Sequence, residues 1–161
     1  MLLINNIPIY NSPNIKVKSV EHELKTQTDT LDSAGNMYSK LCCFISTSSP
    51  ITDSKDYKIL TKVFEKLSAK IENNFIINIK SLESNDYMEF ASKYDFSHFL
   101  FFGNEAILNN LPANLKINKS SFEQDCSFLL SENLVFVTET KDMKVKEQAW
   151  EAIKLFYKSI I

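Results

Sequence analysis

The sequence predicts an α/β fold: a single domain whose mostly parallel sheet carries helices on both faces, doubly wound in three layers. Three observations predict it. Short, predominantly apolar runs at Leu41 to Ile45, Phe75 to Ile79 and Phe99 to Phe102 have the length and the β-branched or aromatic content of strands buried on both faces. Stretches with helical spacing separate them, so strands and helices alternate as in successive βαβ units. At 161 residues, 44% hydrophobic and 24% charged, the chain has the composition of one globular domain that can bury a core without staples.

Taken in order, the chain opens with an apolar segment carrying Leu2, Leu3, Ile4, Ile7, Ile9 and Tyr10 and turns polar after Pro13. Lys16 to Met37 is rich in Lys, Glu, Thr, Asp and Ser without periodicity and reads as loop. Residues 1–37 therefore stand apart from an α/β domain at 38–161. After the strand at Leu41 to Ile45, a helix is predicted from about Ser54 to Glu72, capped by Asp53 or Ser54. Leu60, Val63, Phe64, Leu67 and Ile71 recur along its buried face, and Lys58, Lys62, Lys66 and Lys70 form the opposite stripe, read as solvated. A second helix is expected at Ser84 to Tyr94. Leu134 to Val137 reads as a short strand by its β-branched and aromatic content, although so short an apolar run is not distinguishable from a buried helical turn. The last helix, from about Asp142, places Val145, Ala149, Ile153, Phe156 and Ile160 on one face, which should lie on the sheet.

Composition removes several chemistries. All 18 basic residues are lysine, so the bidentate contacts that arginine makes to guanine and phosphate are missing, and the net charge of −2 lacks the footprint of a nucleic-acid binder. With only Gly35 and Gly103, no glycine-rich loop brings backbone amides to a phosphate. His22 and His98 have no triad partners around them, and consecutive Cys42 and Cys43 in a strand point to opposite faces and cannot jointly hold a metal. We therefore expect no catalytic, cofactor-binding or metal residues and no cofactor. The three cysteines read as reduced and buried. No run is long enough to cross a bilayer, and Met1-Leu2-Leu3-Ile4 lacks a signal peptide's basic flank, so a cytoplasmic protein is expected.

What remains is surface. Carboxylates near helix starts, Asp53 with Asp56 and Glu83 with Asp86, are explained by capping. Thr47, Ser48, Thr52 and Asp53 after the first strand, and Gly103-Asn104-Glu105 after the third, mark the strand ends where an α/β sheet would hold a small ligand, the alternative to a scaffold role. Twelve phenylalanines and six tyrosines exceed what one sheet needs, and an exposed subset among Tyr10, Tyr87, Tyr94, Phe122 and Tyr157 would mark a protein interface.

A set of ordered motifs runs over most of the chain. Ile7-Pro8-Ile9-Tyr10 places an aromatic three positions after an aliphatic residue. Pro50-Ile51-Thr52-Asp53 is followed by Ile59, Leu60 and Val63, and Phe99 to Gly103 is an apolar strand ending in glycine. Ser131-Glu132-Asn133-Leu134 leads toward Lys146 to Ile153, which carries Trp150. This order resembles the psi subunit family of bacterial DNA polymerase III, the small clamp-loader accessory protein, with tyrosine in place of the usual N-terminal tryptophan and Ala149 in place of a leucine. The resemblance implies a non-enzymatic bridge: the folded domain binds a chi-like subunit, which contacts single-stranded DNA-binding protein, and an N-terminal peptide binds the clamp-loader collar. Leu2, Leu3, Ile4, Ile7, Ile9 and Tyr10 would form that anchor. Pro50, Thr52, Asp53, Gly103, Ser131, Leu134 and Trp150 would be structural family positions. The resemblance also implies a helical turn at Leu134 to Thr138, against the strand that propensity favours.

Overall fold

Four runs whose central residues are buried on both faces can satisfy their backbones only by pairing with one another, and the chain does this in a six-stranded sheet. The structure, a computed structural model, describes residues 31–161. The anchor set Leu2 to Tyr10, and His22, lie outside the described residues. Strands β1 (Ser33–Gly35), β2 (Leu41–Ile45), β3 (Phe75–Asn78), β4 (His98–Phe102), β5 (Ser121–Glu123) and β6 (Cys126–Ser131) stand in the order β1-β3-β2-β4-β6-β5. The four inner strands are parallel; β1 and β5 close the edges antiparallel. Four α-helices accompany them among the described residues: α1 (Lys55–Lys66), α2 (Tyr87–Lys93), α3 (Leu134–Glu139) and α4 (Met143–Lys158).

Register sorts the side chains. Cys43 pairs with Ile76 on one side and Leu100 on the other, and Leu100 with Leu129, so these residues share a face with Leu41, Ile45 and Phe102. Against that face pack Leu60 and Phe64 of α1, Leu134 of α3, and Ile153 and Phe156 of α4. The alternate positions are mostly aromatic. Phe44 meets Phe101 with ring centroids 4.9 Å apart and Phe90 of α2 at 5.2 Å, and Tyr87 stands edge-on to Phe99 and Phe128 at 5.5 and 5.7 Å. Pairs of this kind contribute about 0.5–1.5 kcal/mol each beyond burial.

Much of the aromatic surplus is thereby absorbed by the core. Tyr87 is buried, Tyr94 lies on Phe90 and Phe96, and Tyr157 stands edge-on to Phe64; of the described candidates for an exposed aromatic surface, only Phe122 is exposed. Cys42 and Cys43 are buried, unpaired and on opposite faces, and burial pushes both thiols up.

Several boundaries differ from the sequence reading. The stretch expected as loop holds β1, because Asp32 ties it down by accepting from Ile51 N at 2.9 Å and Asn78 Nδ2 at 2.8 Å. Helix α1 stops at Lys66 instead of Glu72: Ser68 turns left-handed (φ 58°) and Ala69 N reaches Phe64 O, which swings Ile71 back into the core. Its cap is Ser54, whose Oγ accepts from Tyr57 N at 3.1 Å, while Asp53 is exposed and Asp56 is buried, which pushes its carboxyl up. Asp86 does cap its helix, accepting from Met88 N at 2.8 Å. Strands β5 and β6 had no counterpart in the sequence reading, since Cys126 to Ser131 mixes polar and apolar residues.

Two predictions follow from this packing. Gly35 sits at φ 91°, and a Cβ there would lie 1.8 Å from Asn74 O, so Gly35→Ala should lower the melting temperature, with backbone strain alone costing about 1–3 kcal/mol. His98 opens β4 with its Nδ1 2.8 Å from Ser97 Oγ and its ring against Phe156; burial first, then Lys40, hold its pKa below the ordinary 6.5. The unfolded chain then takes up this proton at higher pH than the folded one, so His98 contributes stability above pH 6.5 that is lost as pH falls from there through the lower folded value. Melting curves across this range should show a smaller loss in His98→Gln than in the parent.

Candidate functional site

On the face that carries α1, α3 and α4, the three helices do not close over the sheet completely. They leave a groove of about 620 Å³ whose floor reaches the end of β6. Its walls follow from helical periodicity. Lys55, Ile59, Lys62, Val63 and Lys66 recur every three or four residues along one side of α1, next to but distinct from the stripe that buries Leu60 and Phe64. Lys146, Ala149, Trp150 and Ile153 repeat that spacing on α4 with Glu147 beside them. Leu134, Val137 and Thr138 of α3, with Ser131 and Glu132 at the strand end, complete the lining.

Helix α3 makes this geometry, and it decides between the strand and the helical turn that the sequence left open at Leu134 to Thr138. Its residues favour a strand, but the sheet position beside β6 is already taken by β5. Asn133 caps the segment by accepting from Phe136 N at 3.1 Å, and Val137 N reaches Asn133 O at 3.0 Å. Leu134 is thereby driven into the core while Val137 faces the groove. Asp142 caps α4, accepting from Lys144 N at 3.0 Å.

Charges mark the banks. Lys55 is bound to Glu139, an exposed pair linking α1 to the end of α3 that adds little stability. Lys66 Nζ hangs 5.9 Å from the centroid of the Trp150 ring, reaching from α1 to α4. Beneath them Ser131 is buried, and its Oγ has no hydrogen-bond partner among the described residues.

The groove unites some of the sequence-nominated residues and leaves others apart. Ser131, Leu134 and Trp150 line it. Gly103 stands behind, at φ 90°, donating from its amide to Ser131 O at 2.9 Å, and a Cβ there would come within 3.3 Å of Asn133 Cβ. Pro50, Thr52 and Asp53 are exposed on the turn before α1 and do not reach the groove. At the strand ends proposed for a small ligand, Thr47 and Ser48 are engaged by Asn78 and Lys80. The sequence reading missed the role of Lys62 and Lys66, taken as a solvated stripe. The available signal was the Ile59 and Val63 pair on the same side of α1. Among the described residues, no group of three His, Cys, Asp or Glu side chains is placed to hold a metal ion, and no helix is long and apolar enough to cross a membrane.

No protein-family model matches the chain, and no curated protein matches its sequence.

Ser131→Ala should leave stability unchanged or raise it by up to about 1–3 kcal/mol, because it removes a buried hydroxyl that lacks a partner. Denaturant midpoints measure this, and a clear loss would mean that the hydroxyl is bonded in the folded chain.

Proposed function

We propose that this chain is a non-enzymatic, protein-binding accessory subunit of the DNA replication machinery, acting in the cytoplasm in the manner of the polymerase III psi subunit. It bridges a chi-like subunit, and through it single-stranded DNA-binding protein, to the clamp-loader collar. The observation that carries this reading is convergence. Residues that carry the resemblance at three separate places in the sequence, Ile59 and Val63, Ser131 to Leu134, and Lys146 to Ile153, supply most of the lining of one groove. Ile59, Val63 and Trp150 are half-exposed, as apolar side chains serving a contact surface would be. The helix at Leu134–Glu139, implied by the resemblance against local propensity, supports the same reading. So does a doubly wound, three-layer arrangement, supported by Tyr87 and Phe90 of α2 meeting the aromatic face while α1, α3 and α4 meet the other. In this reading the folded domain binds the chi-like partner through the groove, and Leu2, Leu3, Ile4, Ile7, Ile9 and Tyr10 serve the collar.

The second reading, a small-ligand or enzymatic domain working at the strand ends, draws on the groove's place beside the end of β6 and on a volume that suits a small molecule. Protein binding is the stronger reading because three walls are helix faces bearing apolar side chains.

Affinity capture of the tagged chain from its source cell, read by mass spectrometry, should recover chi-like or clamp-loader components. Ile59→Ala and Trp150→Ala, on opposite banks, should each weaken that binding by about 2 kcal/mol or more while shifting the melting temperature little. Recovery of an unrelated complex, or capture undiminished in both variants, ends the proposal.

A further inference from the structure

We infer that the occupant of the groove is an amphipathic helix of a partner protein whose apolar stripe is flanked, on the side facing α1, by carboxylates. The inference rests on the protein-binding reading above and specifies its chemistry.

Three observations lead to it. The groove is walled by side chains of α1, α3 and α4, and the sheet reaches it only at the end of β6, so no open strand edge is offered there for backbone pairing. Recognition must therefore come from side-chain anchors entering between helices, the mode an amphipathic helix uses. The banks are also unlike in charge. Every charged residue that α1 contributes is a lysine, whereas the opposite side mixes Lys146 with Glu147 and ends at Glu132. Of the α1 lysines lining the groove, Lys55 is held by Glu139, and Lys62 and Lys66 have no carboxylate partner among the described residues. In a chain of net charge −2, this concentrates unneutralised positive charge along one edge of an apolar trough. Finally, Glu132 and Glu147 stand on the remaining rim and would repel a phosphate backbone, which favours a protein over a single nucleic-acid strand.

Trp150 is the only tryptophan of the chain and lines the groove, so its fluorescence reports occupancy directly. The full chain is used to select from a displayed library of helical peptides randomised around an apolar stripe, and the selected peptides are titrated against Trp150 emission. Selected sequences should be enriched in Asp and Glu on one flank and should shift that emission. Lys62→Glu combined with Lys66→Glu should weaken them by more than about tenfold with an unchanged melting temperature, and Glu147→Lys should not weaken them. Selected peptides that are neutral or basic, or that bind equally to the double lysine variant, would overturn the acidic assignment. If those peptides still shift Trp150, the groove remains a protein site and only its chemistry is wrong. Selected peptides that leave Trp150 unmoved would remove the groove itself. A single-stranded homopolymer oligonucleotide serves as the competing probe. Tighter binding of it than of any selected peptide, lost in the lysine variant, would replace the protein partner with nucleic acid.

Discussion

Everything in this domain depends on the parallel pairing of β3, β2, β4 and β6, because none of those strands has a face that water can cover. Leu41 to Ile45 are all buried, and so are Phe99 to Phe102. Parallel strands need crossovers and apolar faces need cover: α1 lies in the crossover from β2 to β3 and α2 in that from β3 to β4, while α3 and α4 follow the last strand and return over the sheet. The start of every one of these helices is capped by a side chain. Ser54, Asp86, Asn133 and Asp142 each accept a backbone amide where the chain turns into helix. The left-handed residues Gly35, Ser68 and Gly103 mark other places where the path between elements is too tight for ordinary backbone.

The two faces solve the covering problem differently. The aromatic face uses few, large side chains: Phe44, Phe99 and Phe128 meet Tyr87 and Phe90 from a helix of seven residues, and Phe101 stacks on Phe44. The aliphatic face receives two longer helices, α1 and α4, with the six-residue α3 set between them. So short a helix buries Leu134 but cannot fill the space between its neighbours, and the groove is the consequence. A docking surface would give a physical reason for apolar side chains left half-exposed in this position.

The aromatic and lysine content illustrates how composition misleads when it is detached from packing. An excess of phenylalanine reads as a sticky surface, yet the rings here are mostly needed to bridge the distance from sheet to α2. A lysine stripe opposite a buried face reads as a solvated helix side, yet two of its members, Lys62 and Lys66, border an apolar trough because α4 approaches from that side. Neither fact is visible from one helix alone.

The sequence by itself determined the α/β class, the strands β2, β3 and β4, the existence of α1, α2 and α4, and the burial of Cys42 and Cys43 on opposite faces. Those features follow from local periodicity and from runs that are apolar on both faces, and such signals need no knowledge of neighbours. Only the tertiary structure decided that β1 lies within an apparently featureless stretch, that α1 ends at Lys66, and that Leu134–Glu139 is a helix. In each case a distant group outweighed the local preference: Asp32 bonding to Asn78, Ile71 returning to the core, and β5 occupying the edge of β6. The groove belongs to the same class. Its walls come from residues that are far apart in sequence, so no single stretch carries its signature, and it exists only once α1, α3 and α4 are laid on one face.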